Sequence, residues 1–271
     1  MLPYFQWVQF SLGPLTIHIW GLMVALGIIA GFAVARYAAR VRGLDQGVVA
    51  DLAFWVILAS FIGGRLVFVF SEFSYYVHHL LEIFKIWKGG MSISGGFIGA
   101  ALAGWFVLHR RQLSFFEYAD VCVFGLPLGM AIGRLGCFFI FDHPGTPTTF
   151  FLGQKYIDGI VRHNHGLYLS IDGLILAMIF FFLWLTRPQR NPGFYSIFFL
   201  FFYGITRFVL DFWRATDLPF SDTRFFHLTV AQYLSLVMVV FGAVLWYALY
   251  RNQSMHINGT HPKTIKKKKT I

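Results

Sequence analysis

Residues 193–212 read GFYSIFFLFFYGITRFVLDF, an apolar run in which only Arg207 and Asp211 are charged. Twenty residues of helix span about 30 Å, which matches the hydrocarbon thickness of a bilayer. This stretch is therefore predicted to cross a membrane. Together with six similar runs it predicts an all-α, polytopic membrane helix bundle of about seven transmembrane helices. The other runs lie near residues 17–36, 49–71, 91–109, 118–137, 167–185 and 228–249.

The composition also requires a membrane environment. Of the 271 residues, 57% are hydrophobic and 20% aromatic, but only 13% are charged. A soluble domain needs roughly twice that charged share to cover its surface, so a soluble globule is excluded. The two cysteines, Cys122 and Cys137, lie on one predicted helix about 22 Å apart and cannot form a disulfide.

The distribution of Lys and Arg predicts the orientation, because basic flanks are retained in the cytoplasm. Thirteen of the 22 Lys and Arg residues follow the first, third, fifth and seventh runs, and six follow the others. We expect an outer N-terminus, a single transmembrane domain over 1–250 and a basic cytoplasmic tail over 251–271. The Lys266–Lys269 run is interpreted as a topology signal rather than a nucleic-acid site. Asp51 and Asp120, near inner helix ends, are expected to cap helices or pair with cytoplasmic arginines.

The three remaining arginines, Arg65, Arg134 and Arg207, fall inside the predicted spans. Each costs several kcal/mol in the bilayer unless it is paired or faces a wet site. All three lie within about six residues of the predicted outer end, beside or near glycines that permit close approach. Because guanidinium groups bind phosphate bidentately, the arrangement indicates an anionic lipid head group. The alternatives are snorkelling and local pairing, for which Asp211 is the partner expected for Arg207.

The polar segment between the fourth and fifth runs is predicted to face outward. Asp142 and His143 within it could form an acid–base pair. His163 and His165 are two residues apart and would point to different sides of a helix, and no third ligand is evident, so no metal site is predicted there. The alternative is a polar surface loop without chemistry.

Six stretches of the chain resemble, in order, the prolipoprotein diacylglyceryl transferase family, over nearly its whole length. They are LTIHIWGLM at 15–23, GGRL at 63–66, GMSISGG at 90–96, GRLGCF at 133–138 with Asp142 and Gly145 beyond it, YGITRFVLDFWR at 203–214, and LTVAQ at 228–232 with Leu234 and Ser235.

The resemblance implies transfer of the diacylglyceryl group of phosphatidylglycerol to the lipobox cysteine thiol of a preprolipoprotein, with release of glycerol phosphate. It implies a multi-pass protein of the bacterial inner membrane, no cofactor and no nucleic-acid partner. Arg134 would hold the lipid phosphate, with Arg207 opposite and Tyr203 nearby. The catalytic residues expected are Arg207, Tyr203, Asp142, His143 and Ser94, and the substrate-binding residues are Arg134, Arg65, Gly136, Cys137, Gly145, Trp20 and His18.

Departures from the family pattern leave alternatives open. Ser94 stands where the family has histidine, and serine cannot act as a base at neutral pH. The base could be relocated to His143 or Asp142, or the charge of the arginines could supply most of the rate. Two other functions stay open: a paralogue that binds an anionic lipid without transfer or uses another acceptor, and an anion channel or transporter. Cys137 could also act as a covalent nucleophile. Further departures are Trp20 for tyrosine, Cys137 and Ile140 for asparagine, and Asp142 and Asp211 for glutamate.

Overall fold

The computed structural model describes residues 1–85, 90–187, 190–219, 221–222 and 224–258, without the side chains of residues 93, 94, 250 and 252–258. Long helices dominate this part of the chain. The helices are α1 (Ile19–Val41), α2 (Gln46–Ser71), α3 (Phe73–Tyr76), α4 (Ile93–Arg110), α5 (Phe115–Ile140), α6 (His165–Thr186), α7 (Phe194–Leu210) and α8 (Val230–Asn258), with 3-10 turns at Leu80–Phe84 and Asp211–Trp213.

The prediction of an all-α, polytopic membrane bundle is confirmed. Six helices in the described ranges are long and apolar enough to cross a membrane, namely α1, α2, α5, α6, α8 and α7 together with its 3-10 turn. The run predicted at 91–109 forms the 18-residue helix α4. The total of seven spans and their orientation remain predictions, as does the division at residue 250.

Glycines set the closest helix pairs, as expected for membrane helices. Gly31 of α1 faces Gly125 of α5 so closely that a Cβ atom on Gly31 would lie 3.0 Å from the Gly125 carbonyl oxygen. Gly63 of α2 packs in the same way against Gly95 and Gly99 of α4. The chain therefore forms an α1/α5 pair and an α2/α4 pair.

A buried polar junction joins the predicted inner ends of α1, α5, α6 and α7. Asp120 of α5 is fully buried and accepts hydrogen bonds from the backbone N–H groups of Gly193, at 3.0 Å, and Ser196, at 2.9 Å. It thereby caps α7, and it lies 3.7 Å from the guanidinium of Arg42. The expectation for Asp120 is confirmed, and Asp51 pairs with Arg111.

Short strands close the opposite, predicted outer end. Phe141 ends α5 in the left-handed conformation (φ 46°), which turns the chain back over the helix end. The polar segment then forms an antiparallel sheet in which Val161–Asn164 lies between Pro144–Pro147 and Gln154–Lys155. Trp7 of the N-terminal arm donates its backbone N–H to the backbone oxygen of Phe139. The strands are β1 (Gln9–Leu12), β2 (Leu15–His18), β3 (Pro144–Pro147), β4 (Gln154–Lys155), β5 (Val161–Asn164), β6 (Arg224–Phe225) and β7 (Leu228–Thr229).

Candidate functional site

Arg134 projects from the last third of α5 beside its own helix neighbour Cys137. One terminal nitrogen, Nη1, lies 3.9 Å from the Cys137 sulfur. Tyr203 and Asp142 are its other electrostatic neighbours, but no carboxylate in the described residues lies within ion-pair distance. The guanidinium therefore retains most of its donors for an anionic ligand.

Arg207 on α7 is 9% exposed, and only one of its two terminal nitrogens has a partner in the described residues. Its Nη2 atom lies 3.1 Å from Oδ1 of Asp211, so the local pairing expected from the sequence is confirmed. Asp211 is fully buried and also accepts a hydrogen bond from the Thr229 hydroxyl at the start of α8. The Nη1 atom of Arg207 is buried and has no hydrogen-bond partner in the described part of the chain. A buried donor without a partner is costly, and a bound anion would satisfy it.

Tyr203 connects the two arginines. It is an electrostatic neighbour of both Arg134 and Arg207, and the two guanidinium groups are neighbours of each other. Tyr203 precedes Arg207 by one helical turn and its ring stacks on Phe199 at 5.4 Å between centroids. Arg134, Arg207 and Tyr203 are thus neighbours, as the resemblance to the family implied.

Two further residues surround this group and were not among the site residues predicted from the sequence. His165, at the start of α6, is fully buried, and its electrostatic neighbours include Arg207, Arg214 and His143. Arg214, just after α7, lines a small pocket with Asp142 and His143 and pairs with Asp222 at 2.5 Å. In the sequence Arg214 was counted as a loop charge, although it is the last residue of the stretch 203–214 that resembles the family. The site therefore contains three guanidinium groups.

Asp142 and His143 lie directly beyond the turn at Phe141. Asp142 Oδ1 contacts Nδ1 of His143, so the predicted acid–base pair is in contact. The Cys137 sulfur belongs to the same cluster, because one donor atom from each of the three residues lies within 4.8 Å of the others. This cluster adjoins Arg134 through Cys137.

Two glycines of the stretch 133–145, which resembles the family, allow close backbone approach at the site. A Cβ atom on Gly136 would lie 3.2 Å from the Trp20 Cα atom, so α1 and α5 touch here, and the Trp20 side chain is a neighbour of the Cys137 thiol. A Cβ atom on Gly145 would lie 2.5 Å from the backbone oxygen of Trp213. Gly145 therefore joins β3 to the segment that follows α7.

The remaining predicted residues are not joined to this group by any described contact. Arg65 is 5% exposed and donates to the backbone oxygens of Glu82, Ile83 and Gly90 at 2.6–2.9 Å. It thus holds the connection between α2 and α4, and its role in lipid binding stays a prediction. His18 is an exposed residue of the β1–β2 hairpin. Ser94 lies in the first turn of α4, and its side chain is outside the described residues.

A second cluster of charges fixes the strands above the site. Arg162 of β5 is 2% exposed, and its two terminal nitrogens bind the two oxygens of Asp217 at 3.0 and 2.7 Å. Asp158 accepts from the same guanidinium at 2.9 and 3.1 Å. The hydrogen bond from Arg162 lowers the pKa of Asp217. His163 differs, because burial lowers its pKa and its Nδ1 bonds to the Tyr168 hydroxyl at 2.7 Å.

An apolar cavity of about 450 Å³ opens between the α1/α5 and α2/α4 pairs. It extends from Val24 and Gly133, next to Arg134, to Leu108 and Tyr118 near the predicted inner ends. Its walls are almost entirely apolar side chains and helix glycines, so it suits hydrocarbon rather than a polar ligand.

Comparison with known proteins identifies the family of the chain. The sequence profile of the prolipoprotein diacylglyceryl transferase family matches residues 7–248. This chain is also similar to the phosphatidylglycerol–prolipoprotein diacylglyceryl transferases of Francisella tularensis subsp. holarctica and subsp. novicida. Each is 34% identical to this chain over 258 residues, which cover 92% of this chain and 94% of the relative. The chain therefore belongs to the prolipoprotein diacylglyceryl transferase family.

Proposed function

We propose that this multi-pass membrane protein transfers the diacylglyceryl group of phosphatidylglycerol to the lipobox cysteine thiol of preprolipoproteins in the bacterial inner membrane. The observation that carries the proposal is the pair Arg134 and Arg207, two intramembrane guanidinium groups around Tyr203. In the described part of the chain, one buried N–H of Arg207 has no hydrogen-bond partner. Family membership supports the same reaction.

Arg134 and Arg207 bind the phosphate of the lipid from two helices. A phosphodiester carries one negative charge, and its leaving group gains a second as the carbon–oxygen bond breaks. Two preorganised cations stabilise that developing charge more than they stabilise the ground state, which is the requirement for catalysis. Asp211 keeps Arg207 in position, since it is itself fixed by Thr229.

The apolar cavity between the helix pairs supports lipid as the substrate. It begins beside Gly133, the residue before Arg134, so an acyl chain can extend into it while the phosphate stays at the arginines. An apolar cavity does not stabilise a small inorganic anion, so its presence disfavours an anion channel.

The reaction also needs an acceptor thiol in its thiolate form, because the neutral thiol is a weak nucleophile. Ser94 cannot remove the proton at neutral pH. The nearest groups that could promote ionisation are Asp142 and His143, next to Arg134. The thiolate attacks the glyceryl carbon, a carbon–sulfur bond forms, and the carbon–oxygen bond to phosphate breaks to release glycerol phosphate.

The test combines the purified protein with phosphatidylglycerol micelles and a peptide bearing a lipobox cysteine, followed by mass spectrometry. We expect a diacylglyceryl mass gain that disappears in Arg134→Ala and persists in Arg36→Ala, an exposed arginine at the predicted inner end of α1. Retained binding of phosphatidylglycerol without any mass gain would overturn the transferase and favour a lipid-binding paralogue.

A further inference from the structure

We infer that Cys137, Asp142 and His143 form a Zn²⁺ site that binds the acceptor cysteine as a thiolate. The inference rests on the proposed function, because it specifies how the thiol of that reaction is activated. It concerns three side chains of the described site whose roles the phosphate-binding arginines do not explain.

The first argument is the donor set. One sulfur, one carboxylate oxygen and one imidazole nitrogen lie within 4.8 Å of one another. Zn²⁺ binds these three atom types at about 2.0–2.3 Å, so tetrahedral ligands stand about 3.3–3.8 Å apart. Small rotations of two exposed or half-buried side chains, Asp142 and His143, bring the donors to that spacing around one ion.

The second argument is the turn that assembles the donors. Phe141 is 1% exposed and adopts a left-handed conformation (φ 46°), which is strained for a bulky residue. Its ring packs edge-on against Tyr156 at 5.0 Å, and this packing holds the turn. The backbone oxygen of His143 in turn accepts from the backbone N–H of His165. The chain is thereby folded back so that Asp142 and His143 reach Cys137.

The third argument is the unsatisfied polarity of the cluster. Nδ1 of His143 meets the Asp142 carboxylate but forms no hydrogen bond in the described part of the chain. An imidazole nitrogen that is not held in a hydrogen bond is available to coordinate a metal ion, as is the neighbouring carboxylate. With Cys137 these two groups supply three ligands, which leaves the fourth position of a tetrahedral Zn²⁺ ion for substrate.

The charges of the site balance in this arrangement. Zn²⁺ with one thiolate, one carboxylate and a neutral imidazole has no net charge. Binding of the acceptor thiolate makes the complex an anion, and Arg134, 3.9 Å from the Cys137 sulfur, compensates it. Arg134 also binds the phosphate, so the same guanidinium holds the lipid and the acceptor thiolate in one site.

The metal activates the thiol by ionising it. A thiol that coordinates Zn²⁺ loses its proton to water, since metal binding deprotonates coordinating thiols near neutral pH. The bound thiolate then forms the carbon–sulfur bond described above. The glycerol phosphate leaves with the electron pair of the broken carbon–oxygen bond, and the thioether product, a weaker ligand than thiolate, dissociates. No oxidant or reductant is involved.

This inference revises the expectation that no metal is bound. That expectation was drawn from His163 and His165, and a different histidine provides the ligand here. It also replaces proton transfer to His143, since a ligating imidazole cannot act as the base. Cys137 becomes a metal ligand instead of a covalent nucleophile.

The decisive measurement uses Co²⁺, which reports thiolate coordination by an ultraviolet charge-transfer absorption. The full-length protein in detergent is stripped of metal and titrated with Co²⁺. We expect a single tight site whose charge-transfer band disappears in Cys137→Ser and whose affinity falls in His143→Gln by more than the roughly 10–100-fold typical of outer-shell changes. Cys122→Ser and His163→Gln are the matched controls and keep the site.

Addition of the lipobox peptide tests the thiol. A second thiolate at the metal increases the charge-transfer absorption, whereas the same peptide with serine in place of cysteine leaves it unchanged. Absence of Co²⁺ binding, an unchanged band in Cys137→Ser, or equal spectra with both peptides would each overturn the inference.

Activity then separates this inference from the proposed function. If the metal-free protein transfers diacylglyceryl groups at the full rate, the Zn²⁺ site is refuted and the transferase stands. If neither the metal-free nor the Zn²⁺-loaded protein transfers, the proposed function fails, and the thiol-activating role fails with it even where the Co²⁺ spectra establish a metal site. Activity that is lost on stripping and restored by Zn²⁺ supports both.

Discussion

The side chain of Arg207 shows how one residue can be both anchored and available. Nη2 is fixed by Asp211, and Asp211 by Thr229, so the direction of the guanidinium plane is set by the fold. Nη1 lies on the same rigid plane and is left without a partner in the described residues. A preorganised, unsatisfied donor binds an anion without the entropic cost of ordering a flexible side chain.

Replacement of Arg207 by lysine tests this geometry. Lysine keeps the charge but has a single ammonium, which cannot hold Asp211 and a phosphate oxygen in fixed directions at once. We expect kcat/KM for diacylglyceryl transfer to fall by about 10²–10³-fold, the usual effect of losing one donor to a developing oxyanion. The comparison is Arg36→Lys, at an exposed position, which should keep the wild-type value. Equal rates for Arg207→Lys and wild type would show that charge alone suffices.

Depth along a helix could be derived from the sequence, but the face on which a side chain points could not. Arg65 was grouped with Arg134 and Arg207 because all three stand at a similar level. Its partners are backbone oxygens of an irregular segment, which no hydropathy pattern predicts. The meeting of Cys137 with Asp142 and His143 was equally inaccessible, since it depends on the left-handed conformation of Phe141.

At the scale of elements, the position of Arg134 depends on the contact between α1 and α5. Gly31 and Gly125 face each other backbone to backbone, and Gly136 meets Trp20 three turns further along. The distance between these helices is therefore determined by the absence of side chains. The sequence indicated glycine-mediated packing near the arginines, and the pairing of α1 with α5 confirms it for Gly136.

Gly125→Ala should weaken this helix pair. Its Cβ atom would contact the Gly31 carbonyl and lie 3.1 Å from the Ala35 backbone nitrogen, so the helices must separate. We expect a loss of about 1–3 kcal/mol, measured as a lower Tm in detergent, together with reduced transfer because Arg134 follows on the same helix.

The matched control is Gly104→Ala on α4, where the new atom would lie 3.7 Å from Val56, an ordinary van der Waals distance. Its Tm should equal or slightly exceed that of wild type, because alanine favours helix over glycine by roughly 0.5–1 kcal/mol. Equal Tm values for both variants would contradict the proposed role of the glycine contact.

The bounds of the long helices followed from the sequence to within about five residues, because runs of about twenty apolar residues have few other folds available. The exception is the end of α8, which was predicted at 249 and lies at Asn258. The strands did not. β3, β4 and β5 contain only two to four residues each, and Arg162, which fixes them, was counted as a loop charge. Its partner Asp217 is 55 residues away along the chain, a distance at which sequence patterns carry no information.

At the scale of the whole molecule, the strands above the site are fastened to the segment after α7 by Arg162 and Asp217. The folded-state pKa of Asp217 lies below its unfolded value of about 3.9. The carboxylate therefore stabilises the fold above that pH, and the contribution is lost as the pH falls through the lowered folded-state pKa.

Asp217→Asn should consequently lower the Tm by a constant amount between about pH 5 and about pH 8, and the difference from wild type should shrink as the pH falls below about 4. Thermal unfolding in detergent across this range measures the effect. Arg162→Lys, which loses the paired hydrogen bonds, should show the same trend. A difference that persists undiminished into acid would show that another interaction is responsible.

The orientation of the bundle decides whether the site can meet its acceptor. Arg134, Arg207 and the strands share one end, and the counts of Lys and Arg assign that end to the outer side, where the cysteine of an exported preprolipoprotein arrives.

Single cysteines at Ile157, which is 73% exposed, and at Ser114, at the opposite end, test the assignment. A membrane-impermeant thiol reagent applied to intact spheroplasts should label Ile157→Cys and reach Ser114→Cys only after lysis. Wild-type protein, with its partly buried Cys122 and buried Cys137, gives the background. The reverse pattern would place the site on the cytoplasmic side. The cysteine of the preprolipoprotein would then have to be modified before export.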